Sequence, residues 1–358
     1  MTAPIYATAP ARVYWELTRA CDLACRHCRA GAQRERAPDE LTTAECEGVL
    51  DALAASPPTK PHVIFTGGDP LKRPDLVSLV RAAVARGLGV SVAPSATFAI
   101  THDVVRELKD AGVSAMSLSL DGPSAAQHDA LRGVLGCFGW TLAAAQRIVA
   151  AGIPLQINTL VTADTEPLLE DTVKVVTGLS AARWSLFFLV AVGRGRVLTA
   201  VDPVTCERRL RWLAANAERW PFVVSTTEAP HYRRVVIQQM RAAGRSGAEI
   251  SAAGRGWGIR DGNGIMFISA GGDVMPSGFL PLVAGNVRVA SPLDVYREAP
   301  LFRALRTPAL LRGRCGACDF RIPCGGSRAR AWAAIGDVFG EDPLCIWHAA
   351  DGVNARTT

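Results

Sequence analysis

Seven of the ten cysteines in this 358-residue chain fall into two groups: Cys21, Cys25 and Cys28 near the start, and Cys315, Cys318, Cys324 and Cys345 near the end. Thiolates gathered at such short spacings are soft ligands for iron and zinc. Three of them satisfy three irons of a [4Fe-4S] cubane, which ordinarily takes four cysteines, and leave the fourth iron open to a ligand from outside the protein. Four thiolates complete either a tetrahedral zinc site or an Fe–S cluster, and spacing does not choose between the two. The first group also has a plainer reading, because steps of four and three put its cysteines on one helical face, where free cysteine is a common core residue. Against that, Asp22, Arg26 and His27 between them are polar, and the group directly follows a strand-like run. Of the isolated cysteines, Cys46 and Cys206 read as core residues. Cys137, in the loop Val134–Trp140, is a candidate site thiol.

The elements that must position these groups are legible in outline. The apolar runs 12–18, 62–66, 89–93, 113–120, 154–161 and 183–190 read as strands, and 41–54, 74–86, 101–111, 139–151 and 166–178 carry the apolar spacing of helices. Glycine-containing turns such as Ala-Arg-Gly-Leu-Gly (85–89) mark helix ends. Six strand–helix units predict a parallel sheet with helices outside, an open or partial (β/α)6 barrel, whose active-site loops lie at the C-terminal ends of the strands. Past about Val224 the pattern changes to a helix around 230–243, a Gly-rich stretch at 254–264, a hairpin from IMFIS and DVMPS, and short helices around 291–305. The expected division is residues 1–225 as barrel and 226–358 as a small domain with little apolar mass of its own, of the kind that uses a metal staple.

The second strand ends in Gly67-Gly68-Asp69-Pro70, where two glycines let backbone carbonyls approach a ligand and the proline stiffens the exit. One strand after Cys-x3-Cys-x2-Cys, this segment makes the chain resemble the radical S-adenosylmethionine (SAM) superfamily. The resemblance implies that Cys21, Cys25 and Cys28 hold a catalytic [4Fe-4S] cluster whose open iron takes SAM's methionine amine and carboxylate. It further implies that Gly67, Gly68, Asp69 and Pro70 lie at SAM's methionine end, although Asp69 stands where most members have Glu. Ser119-Leu120-Asp121-Gly122-Pro123 with Arg132-Gly133 downstream is similar to another segment of the superfamily. Ser119 and Arg132 are thus expected on SAM's ribose or carboxylate, Ser95 near its adenosine, and Asn158 as a further polar contact. Asp121 reads equally as a turn and cap residue. The C-terminal cysteines resemble the SPASM/twitch extension, which carries auxiliary [4Fe-4S] clusters. Ser277 occupies the position of a further cysteine ligand, so one auxiliary cluster is expected, on Cys315, Cys318, Cys324 and Cys345.

Reductive cleavage of SAM yields a 5′-deoxyadenosyl radical that abstracts hydrogen from a substrate C–H, with a flavodoxin- or ferredoxin-type protein as the expected electron donor. The segments 187–195 and 276–288 are similar to a branch that includes the enzymes of haem d1 and siroheme-derived haem biosynthesis, so the expected substrate is a carboxylate-bearing tetrapyrrole. From Thr226 onward the chain has sixteen Arg, no Lys and eleven Asp plus Glu. Arg-rich composition suits carboxylate or phosphate partners, and Arg194, Arg196, Arg233, Arg234 and Arg260 are candidates, with His231 and Tyr232 beside two of them. No dense basic helix or RNA-binding motif points to nucleic acid. No apolar run reaches the eighteen or so residues of a membrane span, and the first twenty residues resemble neither a signal nor an anchor. Clustered thiols predict a reducing, cytoplasmic setting. The rival readings are radical modification of a ribosomal peptide, for which the strand beginning eleven residues in leaves no room for a leader-binding domain, and a non-catalytic metal-binding scaffold.

Overall fold

The strands are built on a two-residue alternation. In β1 (Arg12–Glu16), β2 (His62–Thr66), β3 (Gly89–Val92), β4 (Ala115–Ser119), β5 (Leu155–Val161) and β6 (Arg183–Phe188), every second side chain is buried, and all of these but Thr159 are apolar. Val13, Trp15, Val63, Phe65, Val92, Leu118, Ile157 and Leu186 form that set, and it packs on helix residues such as Leu50, Leu79, Leu108, Ile148 and Leu210 in one continuous core. Each such side chain contributes about 1.5–3 kcal/mol on leaving water. The intervening residues, Thr66, Ser117, Ser119 and Asn158 among them, face a cavity on the other side of the sheet. An ordinary parallel sheet, covered by helices on both faces, reads as continuous apolar runs; the polar alternation here comes from curling one face around a cavity.

The computed structural model describes residues 6–56, 60–254 and 258–348. Arg255–Trp257 of the Gly-rich stretch lie outside the described residues, as do the first five residues of the N-terminal segment. The helices following the strands are α1 (Thr43–Ala54), α2 (Leu76–Ala85), α3 (His102–Asp110), α4 (Ala125–Arg132), α5 (Cys137–Ala150), α6 (Leu169–Gly178) and α7 (Pro203–Asn216). Thr42 and Glu45 form a reciprocal capping box at α1. Gly87 and Gly112 end α2 and α3 with positive φ, as the glycine-containing turns predict. Helix α4, not expected from the apolar spacing, is a short insertion ending at Gly133. The parallel pairing runs β1-β2-β3-β4-β5-β6, the partial barrel expected. Among the described residues no single helix is long and apolar enough to cross a membrane.

The sheet does not stop at residue 225. Strand β7 (Val223–Thr227) straddles that position and pairs parallel with β6. The segment that follows holds α8 (Tyr232–Ala242), α9 (Gly247–Ala253) and the short strand β8 (Arg260–Asp261). The expected hairpin forms from β9 (Gly264–Ile268) and β10 (Asp273–Met275), with β11 (Gly285–Asn286) beyond. Strand β9 pairs parallel with β1, so the C-terminal segment extends the far edge of the barrel sheet. Its helix α10 (Pro292–Glu298) packs on α1. There the Tyr296 hydroxyl accepts from the Gly264 amide at 2.9 Å and donates to the Tyr6 carbonyl at 2.8 Å. A segment with little core of its own is thus stabilised by strand pairing.

At the opposite side, α11 (Pro300–Leu305) leads to the second cysteine group, in which α12 (Gly313–Ala317) carries Cys315 and α13 (Arg328–Ile335) lies between Cys324 and Cys345. Arg330 of α13 reaches the exposed strand ends of the barrel. It donates to the carbonyls of Phe188 and Leu189 beyond β6 and of Glu228 beyond β7, and pairs with the buried Asp342 at 3.1 Å. Replacing Arg330 with Met leaves Asp342 buried without its cation and should cost about 3–5 kcal/mol. Urea denaturation checks this, and adding Asp342→Asn in the same chain should recover part of the loss.

Candidate active site

The C-terminal ends of β1 to β6 open into one cavity of about 230 Å³. The loop after β1 carries Cys21, Cys25 and Cys28 into its wall, and backbone from four other places holds that loop. Gly68 and Asp69 donate their amides to the carbonyls of Thr18 and Ala20 at 2.8 and 2.7 Å, and Cys21 donates to Gln33 at 2.7 Å. Arg26 donates to Leu131, and Arg194 to Cys28 at 3.0 Å. These approaches need glycine. A Cβ on Gly68 would stand 2.5 Å from the Ala20 carbonyl oxygen, and one on Gly133 2.7 Å from that of Ala24, distances that a side chain cannot occupy.

All three thiols receive hydrogen-bond donors. The Leu23 amide points at Cys21 Sγ and the Ala32 amide at Cys28 Sγ, each at 3.4 Å, and the Arg132 guanidinium lies 3.6 Å from Cys25 Sγ. Ser95 Oγ is 3.2 Å from Cys21 Sγ and also bonds the Gly68 carbonyl. Burial pushes the Cys21 thiol up, and the Ser95 and Leu23 contacts oppose this. Sulfur atoms ringed by N–H donors and facing open space suit thiolates that gain iron as counter-charge, so the residues present fit a [4Fe-4S] cluster.

Gly67, Gly68, Ser95, Ser119, Arg132 and Asn158 line this same cavity beside the thiols. Asp69 and Pro70 stand behind its wall. Asp69 is 1% exposed, its Oδ1 accepting from the amides of Leu71 at 3.1 Å and Ser95 at 3.3 Å, so it ties the loop after β2 to the loop after β3. Burial raises its carboxyl to about 6. Asp121 is buried and ion-paired with Arg132, and its Oδ1 accepts from the Leu160 amide at 2.7 Å. Burial, the largest single influence, would raise its pKa, but Arg132 together with the nearby imidazoles and the Leu160 amide outweighs it and holds the carboxyl below the usual range. Asp121 therefore positions Arg132, a role beyond that of a turn residue.

Sequence reasoning missed several lining residues. His27 is nearly enclosed between Cys25 and Cys28, and burial followed by the nearby Arg132 lowers it to about 4, so it is neutral near pH 7. Its place inside the cysteine spacing was the available signal. Phe187 at the end of β6, Leu189, Val190 and Val192 after it, and Phe279 from the C-terminal segment supply apolar lining to the cavity. Cys137 also lines the cavity, but burial pushes its thiol to about 11 and Sγ points at the Ala96 carbonyl. Cys46 and Cys206 lie in the core as expected.

The arginine candidates separate. Arg194 lines the cavity, while Arg196 is exposed outside it. Arg233 donates to the carbonyls of Pro323 and Ile259, Arg234 pairs with Glu207, and Arg260 donates to Gly258 and Ile322, so all three brace the C-terminal segment. His231 is buried between Cys206 and Asp342, away from the cavity, and Tyr232 packs against the core.

A second, much smaller cavity of about 20 Å³ is lined by all four of Cys315, Cys318, Cys324 and Cys345, with Arg234, Arg314 and Trp347. The Phe320 and Gly326 amides donate to Cys318 and Cys324 Sγ at 3.3 and 3.4 Å, and the Asp342 amide to Cys315 at 3.5 Å. This donor set also fits a cluster. Ser277 lines neither cavity; its Oγ accepts from the Phe279 amide. Among the described residues no three His, Cys, Asp or Glu side chains converge closely enough to hold a single metal ion; both cysteine sets face cavities.

Residues 15–176 match the model of the radical SAM superfamily. The chain is 38% identical over 344 residues, 95% of its length and 97% of the relative's, to an AdoMet-dependent heme synthase of Methanosarcina barkeri. It is 29% identical over 357 residues to the pre-heme d1 synthase of Dinoroseobacter shibae, across 95% of this chain and 87% of that one. The fold is similar to that of Streptococcus suis SuiB bound to its precursor peptide SuiA, with a TM-score of 0.74 at 18% identity, covering 95% of this chain and 76% of that one.

A buried carboxyl that titrates near 6 instead of 3.8 binds its proton more tightly in the folded state. Asp69 therefore withdraws stability as pH rises from about 4 through about 6. Asp69→Asn keeps the acceptor for Leu71 and Ser95 and removes that loss. Its urea midpoint should match wild type near pH 3, below the unfolded pKa, and exceed it at pH 8 by an equivalent of roughly 2–3 kcal/mol.

Proposed function

The chain belongs to the radical SAM superfamily, and from that premise we propose that it acts on a carboxylate-bearing tetrapyrrole in haem-type biosynthesis, removing or oxidatively decarboxylating a side chain. The observation that carries this reading is the mixed lining of the cavity. Its polar part gathers Gly67, Gly68, Ser95, Ser119 and Asn158 beside three thiols, and its apolar part has a guanidinium set in it. The first part suits SAM, the second a large apolar body bearing carboxylates. Full-length similarity to an AdoMet-dependent heme synthase supports the same substrate class.

In this reading Cys21, Cys25 and Cys28 ligate the catalytic cluster, and the Leu23 and Ala32 amides with Arg132 stabilise the charge on their sulfurs. When bound, cluster and SAM supply the 5′-deoxyadenosyl radical that abstracts hydrogen from the substrate. The backbone of Gly67 and Gly68 receives SAM's methionine end, Ser95, Ser119 and Asn158 receive its nucleoside, and Asp69 with Pro70 stiffens that loop from behind. Asp121 keeps Arg132 charged and in place. Neutral His27 closes the floor without adding charge. Phe187 and Phe279 exclude water from the reacting C–H. Cys315, Cys318, Cys324 and Cys345 hold one auxiliary [4Fe-4S] cluster, fully ligated and suited to electron transfer, with a flavodoxin- or ferredoxin-type protein as the ultimate donor. All ten cysteines are free thiols, which suits a reducing, cytoplasmic compartment.

Anaerobically reconstituted protein should hold about eight irons, two clusters' worth, and release 5′-deoxyadenosine under dithionite. Replacing Cys21, Cys25 and Cys28 with Ala should abolish that release. Replacing the other four should leave about four irons and impair turnover. Iron, sulfide and zinc analysis beside nucleoside release reads each result, and zinc at the second site would make it structural. A panel of carboxylated porphyrins should yield decarboxylated product; modification of a candidate peptide with no porphyrin turnover would overturn the substrate reading.

A further inference from the structure

Gly193 has φ of 54°, and a Cβ there would meet the Cys28 and Arg29 carbonyl oxygens at 2.6 Å. With the Arg194 amide bonded to Cys28, the start of the 193–195 loop is locked against the cysteine loop, and the Arg194 side chain lines the cavity from there. Its surroundings on that side are apolar. Phe187 and Phe279 pack with ring centroids 6.4 Å apart, one from the barrel and one from the C-terminal segment, and Val190 and Val192 continue the wall.

The Nε and Nη2 atoms of Arg194 are shielded from solvent and have no hydrogen-bond partner. The two other arginines lining the cavity are paired: Arg132 with Asp121, and Arg29 with Glu16 at 3.2 Å while stacked 4.5 Å from the Phe267 ring. Desolvating guanidinium N–H groups without acceptors is costly, and among the described residues no carboxylate pairs with Arg194 to offset that cost. A planar fork of donors on an apolar wall matches a carboxylate carried on an apolar body.

We propose that Arg194 is the residue that selects the substrate, its guanidinium taking a carboxylate of the substrate while Phe187 and Phe279 hold the apolar ring system beside it. This rests on the tetrapyrrole reading and adds to it the anchor. Holding one carboxylate next to Cys28 fixes which arm of a multi-armed ring faces the SAM side. Arg194 is a positioning and specificity residue; it takes no part in cleaving SAM.

The test uses full-length, anaerobically reconstituted protein and two ligands, protoporphyrin IX and its dimethyl ester, titrated by fluorescence, with SAM binding followed by equilibrium dialysis. Wild type should bind the diacid at least about tenfold more tightly than the diester. Arg194→Gln should weaken diacid binding by about 30-fold or more, the loss expected when one partner of a shielded charge pair is removed, and leave the diester, SAM binding and iron content unchanged. Arg194→Lys should recover part of the preference. In turnover, the Gln variant should raise KM more than it lowers kcat. If Arg194→Gln keeps the preference for the diacid, the inference falls and the tetrapyrrole reading stands. If the variant loses SAM binding with porphyrin binding intact, the guanidinium serves SAM's own carboxylate and the inference falls. If wild type binds neither porphyrin, the tetrapyrrole reading fails and takes the inference with it.

Discussion

Three thiols face one cavity because backbone from other loops presses against the loop that carries them, closely enough to leave no room for a side chain. Gly67 and Gly68 lie against Thr18 and Ala20, Gly133 against Ala24, and Gly193 against Cys28 and Arg29. Each contact comes from the end of a different strand or helix, so the loop's shape is set by the curl of the sheet. A cluster-binding loop held this way needs little rearrangement when metal arrives, which lowers the cost of binding. The same packing aims the Leu23 and Ala32 amides at sulfur.

The sheet does two jobs with one alternation. Its outward residues bury against helices and supply the stability, while its inward residues at the strand ends supply polar groups to the cavity. Neither job compromises the other, because successive side chains point to opposite faces. The C-terminal segment is joined to this sheet at both ends of the strand order. On one side β9 pairs with β1, and on the other Arg330 binds the carbonyls beyond β6 and β7 while Asp342 holds its charge. The second cysteine group is thereby fixed relative to the first, and Phe279 is delivered to the cavity wall.

Several enclosed arginines are paired with carboxylates of the chain: Arg132 with Asp121, Arg209 with Glu166, Arg234 with Glu207 and Arg330 with Asp342. Arg260 and Arg328 donate to backbone carbonyls instead. The imidazoles at positions 27, 128 and 231 are held neutral, each lowered to about 4. Against that background the unpartnered Arg194 stands out as a group oriented for something outside the chain.

The spacing of Cys21, Cys25 and Cys28, the paired glycines at 67 and 68, the six alternating strands and the second cysteine set were all legible in the sequence. Each is a local property: ligand spacing, backbone freedom and side-chain period are written in consecutive residues. What the sequence could not decide is which distant groups meet. Five arginines looked equally suited to an anionic substrate, yet Arg233 and Arg260 are consumed by carbonyls of the C-terminal segment and Arg234 by Glu207 of α7, and Arg194 alone of the five lines the cavity. His231, which stood beside two of those arginines in the sequence, is enclosed by Cys206 and Asp342. Asp69 sat within a motif expected at the cofactor and serves from behind it. The pairing of β9 with β1 and the contact of Tyr296 with Tyr6, 290 residues away, have no local signature. Such outcomes depend on the free energy of the whole packed arrangement, in which a polar group's role is set by whichever partners the fold brings within reach, and only the tertiary structure contains that information.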